Sequence, residues 1–180
     1  MIDPAVGALA AGSLALLFAS ASWHKWRALR EFESVLLAYR LVPAPTVPVL
    51  MVVVPALELG IAAGLLVGAL RPGATFAGMA LLLAYAVAIG INLGRDRRDL
   101  DCGCGARRDR RPIAPWMVVR NVLLALGLSL ALGPAAPRPF EATDALTVGG
   151  GIAILALVYV ALDQLLGEIR PRAALLRRPA

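Results

Sequence analysis

The chain has little of what most catalytic or metal centres are made from. It carries two cysteines and one histidine. A closed zinc site needs four ligands, so a structural zinc centre is one ligand short. Lys25 is the only lysine, and acidic residues number 12. There is no phosphate-cradling glycine loop, no nucleophile–base–orienter set and no paired-carboxylate motif. Hydrolase and kinase chemistry therefore have no support. Long polar stretches are also missing. At 180 residues and 59% hydrophobic, with mean hydropathy +0.76, the chain is too apolar for a soluble or disordered protein. It is also too short for a membrane bundle plus a soluble catalytic domain.

What is present is apolar sequence in long runs. Crossing a bilayer takes about 20 residues. Five runs qualify: roughly 4–22, 47–70, 74–94, 114–133 and 146–167. Pro43, Pro45, Pro72, Pro112 and Pro134 mark the joints. Backbone groups in lipid must be satisfied within their own segment, so these runs are expected to be helices. The start "MIDPAV" has no basic residue and basic residues follow the first run, which favours a retained helix over a cleaved leader. The expected fold is an all-α, five-span membrane domain over residues 1–170 with a basic tail over 171–180.

The net charge of +6 is not a nucleic-acid signal, because the arginines cluster at the ends of apolar runs. Fifteen basic residues fall on one side of a five-span chain, Lys25 and most arginines among them. Only Arg71 and Arg138 fall on the other. Basic loops stay cytoplasmic, which predicts an outside N-terminus and a cytoplasmic C-terminus. Trp23, Trp26 and Trp116 sit at the basic ends of their spans, where interfacial indoles gather.

Between the first two spans lies "REFESVLLAYRL". Its Phe32, Val35, Leu36 and Tyr39 share one helical face. This predicts a short amphipathic helix lying in the membrane surface.

Both cysteines lie in "DLDCGCGARRDRRP", on the basic side between the third and fourth spans. Three readings of Cys102 and Cys104 stand. They are a thiol–disulfide pair: Gly103 permits the tight ring, and nearby Arg97, Arg98, Arg107 and Arg108 favour the thiolate while adjacent Asp101 works against it. They are soft-metal ligands, with His24 as a third. Or they are incidental, and the chain is a non-catalytic partner of another protein. Inside the spans, Glu58 and Arg120 are expensive in lipid. They are expected to pair with each other, as a structural tie or as part of a site. Asn92, Asp163 and Gln164 are further polar positions within the spans.

The segments "SWHKWRALREFESVLLAYRLVP", "PALELG", "INLGRDRRDLDCGCG" and "WMVVRNVLLA" together resemble the MauE family of methylamine utilisation membrane proteins, within the wider DoxX-like group. The resemblance covers residues 20–165. Gly105 stands where members often carry Phe. The resemblance implies a multi-pass bacterial inner-membrane protein with a DoxX-like bundle. It implies a part in maturing an exported, disulfide-rich client, the methylamine dehydrogenase small subunit in the namesake system. It also implies a thioredoxin-like partner of the MauD type. Carried over by position, it points to His24, Lys25, Glu58, Cys102, Gly103, Cys104, Arg120 and Asn121. It names no cofactor.

Overall fold

A computed structural model describes residues 3–97, 99–100, 112–133 and 138–175, with side chains through residue 166. Among these residues there are six α-helices and no strand. They are α1 (Pro4–Arg27), α2 (Leu29–Tyr39), α3 (Val47–Leu66), α4 (Arg71–Gly94), α5 (Pro115–Ser129) and α6 (Ala142–Leu175). All but α2 provide a stretch long and apolar enough to cross a membrane.

Local chemistry sets the helix ends. Asp3 caps α1 by accepting from the Ala5 amide at 2.8 Å, and Pro4 stands in the first turn, where its missing N–H costs nothing. The first span runs to Arg27, past the expected end at residue 22. Its polar last turn stays helical because Ser22 and Lys25 are buried against α3. The second span ends at Leu66 rather than residue 70, and a short turn then starts α4 at Arg71.

Lipid tails are as apolar as leucine, so close packing rather than water exclusion holds such a bundle together. The central layer joins four helices: Leu14, Ala15 and Phe18 of α1, Ile61, Ala62 and Leu65 of α3, Leu82 of α4, and Ala125 and Leu128 of α5. Glycines admit the closest approaches. A methyl added at Gly78 would lie 2.7 Å from Leu128 Cδ2 and 3.2 Å from both Ile61 and Phe18. A second cluster closes the basic end with Tyr39 of α2, Ile89 of α4, and Ile113, Ala114 and Met117. The expected amphipathic helix is therefore present, with Phe32 and Tyr39 buried.

α6 is different. No residue of its membrane-spanning window is buried. It leans on α1 through Ile152 over Gly12 and Leu9 over Gly151.

At the charge-poor end, Arg138 bonds both Asp3 (2.8 Å) and Asp144 (2.7 Å), fastening the start of α6 to the start of α1. The Arg138 guanidinium, and secondarily the Ala5 amide, hold the Asp3 carboxyl below its ordinary value of 3.8. Arg138 is in turn pushed up by Asp144 first and Asp3 second. A depressed carboxyl contributes stability above its ordinary value and loses it as pH falls through the depressed one. Thermal stability in detergent is therefore expected to hold from neutral pH to about 4 and to fall below it. Arg138→Ala should remove part of that acid-dependent loss. An acid profile identical to wild type would show that the clasp contributes nothing.

Candidate functional site

The spans carry a buried polar cluster nearer the basic end than the charge-poor end. Its centre is Glu58, 1% exposed, on α3. Glu58 Oε1 accepts from Lys25 Nζ of α1 at 2.7 Å and from the Tyr85 hydroxyl of α4 at 2.8 Å. Lys25 is 4% exposed, and its ammonium also faces the Phe32 and Tyr85 rings, each 5.6 Å away. Three residues earlier on the same helix faces, Ser22 Oγ donates to the Pro55 carbonyl at 2.8 Å. These two contacts join α1 to α3 along adjacent turns.

This geometry corrects the expected pairing of Glu58 with Arg120. Arg120 Nη1 instead bonds Asp163 Oδ1 of α6 at 2.9 Å, and its guanidinium lies over the Trp116 and Tyr159 rings. The reason lies in side-chain direction. Helical side chains lean toward the N-terminus of their helix. Lys25, counted by sequence as a flanking interfacial charge, sits in the last turn of α1 and leans back into the bundle. It reaches Glu58 on the adjacent helix. Arg120, in the second turn of α5, leans toward the basic end and meets α6 there.

A crevice of about 70 Å³ lies among these groups, lined by Lys25, Glu58, Tyr85, Arg120, Asn121 and Tyr159 with apolar neighbours. Asn121 is buried and donates to the Met117 carbonyl at 2.8 Å. His24 is part-exposed in the last turn of α1 and does not line the crevice. Of the positions singled out by sequence, Lys25, Glu58, Arg120 and Asn121 thus come together. Tyr85, Tyr159 and Ser22 were not singled out. Tyrosine and serine within apolar runs carry no periodic signal, and only the helix packing brings Tyr85 and Tyr159 to the crevice and Ser22 to Pro55.

Cys102, Gly103 and Cys104 lie outside the described residues. The chain flanking them is described. The Ile113 amide donates to the Leu100 carbonyl at 2.9 Å, and Leu100 packs against the cluster around Tyr39. Arg97 donates to the Ala38 carbonyl at 2.7 Å, to the Tyr39 carbonyl at 3.4 Å and to Asn92 Oδ1 at 3.2 Å. It thereby satisfies the last carbonyls of α2, where a cation also complements the helix dipole. Among the described residues, no three His, Cys, Asp or Glu side chains gather as a metal site.

Comparison with known proteins agrees with this architecture. Residues 3–134 match the family model described as Methylamine utilisation protein MauE. The chain is 38% identical over 145 residues to a Methylamine utilization protein MauE of Paracoccus denitrificans, covering 79% of this chain and 78% of that one. It is 35% identical over 167 residues to the protein of that name from Methylophilus methylotrophus, covering 92% and 88%. No solved structure matches. With five membrane-spanning helices and this extent of similarity, the chain belongs to the MauE family of methylamine utilisation proteins.

Proposed function

We propose that this chain serves methylamine utilisation as an inner-membrane thiol–disulfide relay. It would support maturation of an exported protein, with Cys102 and Cys104 as the exchanging pair and a thioredoxin-like protein as partner. The observation that carries the reading is the built stem on either side of the pair. The Leu100–Ile113 bond, the packing of part-buried Leu100 against the Tyr39 cluster and the Arg97 clamp on α2 tie both flanks to the basic end of the bundle. A relay needs its thiols presented at a set place to a docking partner, and this anchoring supplies one.

The exchange itself balances within two dithiols. A partner thiolate attacks the Cys102–Cys104 disulfide and forms a mixed disulfide. The partner's second thiol resolves it. The partner leaves oxidised and the pair is left as two thiols. The arginines near the pair in sequence favour the thiolate, and adjacent Asp101 works against it. In the reading adopted, the N-terminus is outside and the basic end cytoplasmic. The distribution of charge supports it: fifteen basic residues lie toward one side, against Arg71 and Arg138 on the other.

One experiment tests both the chemistry and the side. Membranes are treated with a membrane-impermeant maleimide mass tag, with and without prior reduction, in spheroplasts and in inside-out vesicles. The expected result is two tags per chain, only in inside-out vesicles and only after reduction. Full tagging without reductant under every oxidising condition would remove the disulfide. Tagging from the outside face would reverse the orientation.

A further inference from the structure

We propose that the crevice beside Glu58 binds the hydroxyl head of a neutral lipophilic alcohol or phenol that enters from the bilayer. The proposal does not depend on the thiol chemistry. It starts from unmet hydrogen-bonding capacity. Glu58 Oε1 has two donors, but Oε2 is buried and has none among the described residues. Buried acceptors almost always have a donor, and a charged one left without is costly. Lys25 has three N–H groups. Among the described residues its only hydrogen bond is to Glu58, and it otherwise meets the faces of Phe32 and Tyr85. An open acceptor therefore sits beside a cation with donors to spare. A hydroxyl meets both needs at once, donating to Glu58 and accepting from Lys25.

Charge selects a neutral ligand. Among the described residues, two cations, Lys25 and Arg120, face two carboxylates, Glu58 and Asp163. Their charges cancel, so an ionic ligand would add an uncompensated charge in a low-dielectric setting. Shape selects a lipophilic one. The crevice holds about 70 Å³, room for a hydroxyl and the carbon that bears it, but not for a whole amphiphile. Its walls include Leu17, Phe18 and Leu124, and at its rim Ser20 is exposed. Tyr159 of α6 completes the lining, and α6 is the helix with no buried residue in its span. The body of the ligand would then lie along the loosely packed edge between α1 and α6.

The test uses the full chain in nanodiscs of phosphatidylethanolamine and phosphatidylglycerol. The probes are a long-chain alcohol with a diazirine near the hydroxyl and its methyl ether with the same tail. After irradiation and digestion, the alcohol should label the α1 segment 17–21 and the α5 segment 120–124 about tenfold more than the ether does, because the ether cannot donate to Glu58. Leu124→Trp fills the crevice without touching the ion pairs and should abolish that excess. Leu123→Trp, whose wild-type residue is 61% exposed, should not. On the unsubstituted chain, excess decanol or para-nonylphenol should suppress the labelling, and whichever competes identifies the aliphatic or aromatic class. Equal labelling by alcohol and ether would make the crevice an ordinary lipid-facing surface. Absence of labelling by both would leave it to water. Failure of both competitors would also overturn the proposal.

Discussion

Lys25→Met is expected to destabilise the folded protein by about 3–5 kcal/mol, because it strands the Glu58 carboxylate in the bundle interior. The two side chains are 4% and 1% exposed at a separation of 2.7 Å, so solvent does little to screen either. Glu58→Gln strands the ammonium instead and should cost a similar amount. Replacing both, as Lys25→Met with Glu58→Leu, removes both desolvation penalties and should recover much of the loss. Arg120→Leu should cost less than either single change at the Lys25–Glu58 pair. Its partner Asp163 is 30% exposed and Arg120 itself 14%, so screening and rehydration soften the loss. Glu58 and Arg120 changes should then be nearly additive, whereas Lys25 and Glu58 changes should be strongly coupled. Reversible unfolding in mixed micelles measures all of these. A Lys25→Met protein within about 1 kcal/mol of wild type would mean the pair contributes no more than a surface salt bridge.

Gly78→Leu should have the second large effect. At Gly78, α4 meets α1, α3 and α5 at once, facing Phe18, Ile61 and Leu128 together. Leu128 could give way through its flexible end. Ile61 and Phe18 are themselves only 2% and 1% exposed, so they have nowhere to go. Overpacking of this kind costs about 1–3 kcal/mol, and three simultaneous clashes place Gly78→Leu at the upper end. Gly90 lies on the same helix with open space where its side chain would be. Gly90→Leu should therefore be neutral, or slightly stabilising through helix propensity. Yields of monodisperse protein and thermal midpoints for the two variants test the contrast. Equal behaviour would show that α4 does not pack as described.

These two sites differ in how visible they were in the sequence. Glu58 stood out, since a carboxylate within "PALELG" has to be explained in lipid. Its partner did not stand out by composition; only the family resemblance pointed to Lys25, and nothing in the sequence paired it with Glu58. Lys25 lies beside Trp23, Trp26 and Arg27 in a segment that looks interfacial by composition. Its burial depends on the direction in which the last turn of α1 leans and on Phe32 of α2 folding over it. Gly78 was one glycine among 17. Nothing local separates it from Gly90, because the difference is made by neighbours up to 60 positions away along the chain.

By itself the sequence determined the class of solvent, the number of crossings and the amphipathic α2. These follow from run length and periodicity, which act within a single segment and need no partner. It also carried the family resemblance, through short segments that the comparisons bear out over most of the chain. Only the tertiary structure decided which buried charge meets which. In a helical bundle, depth along each axis and rotation about it jointly select the partner. A shift of one turn or 100° changes which side chain a buried charge can reach, and neither quantity is written in any one helix.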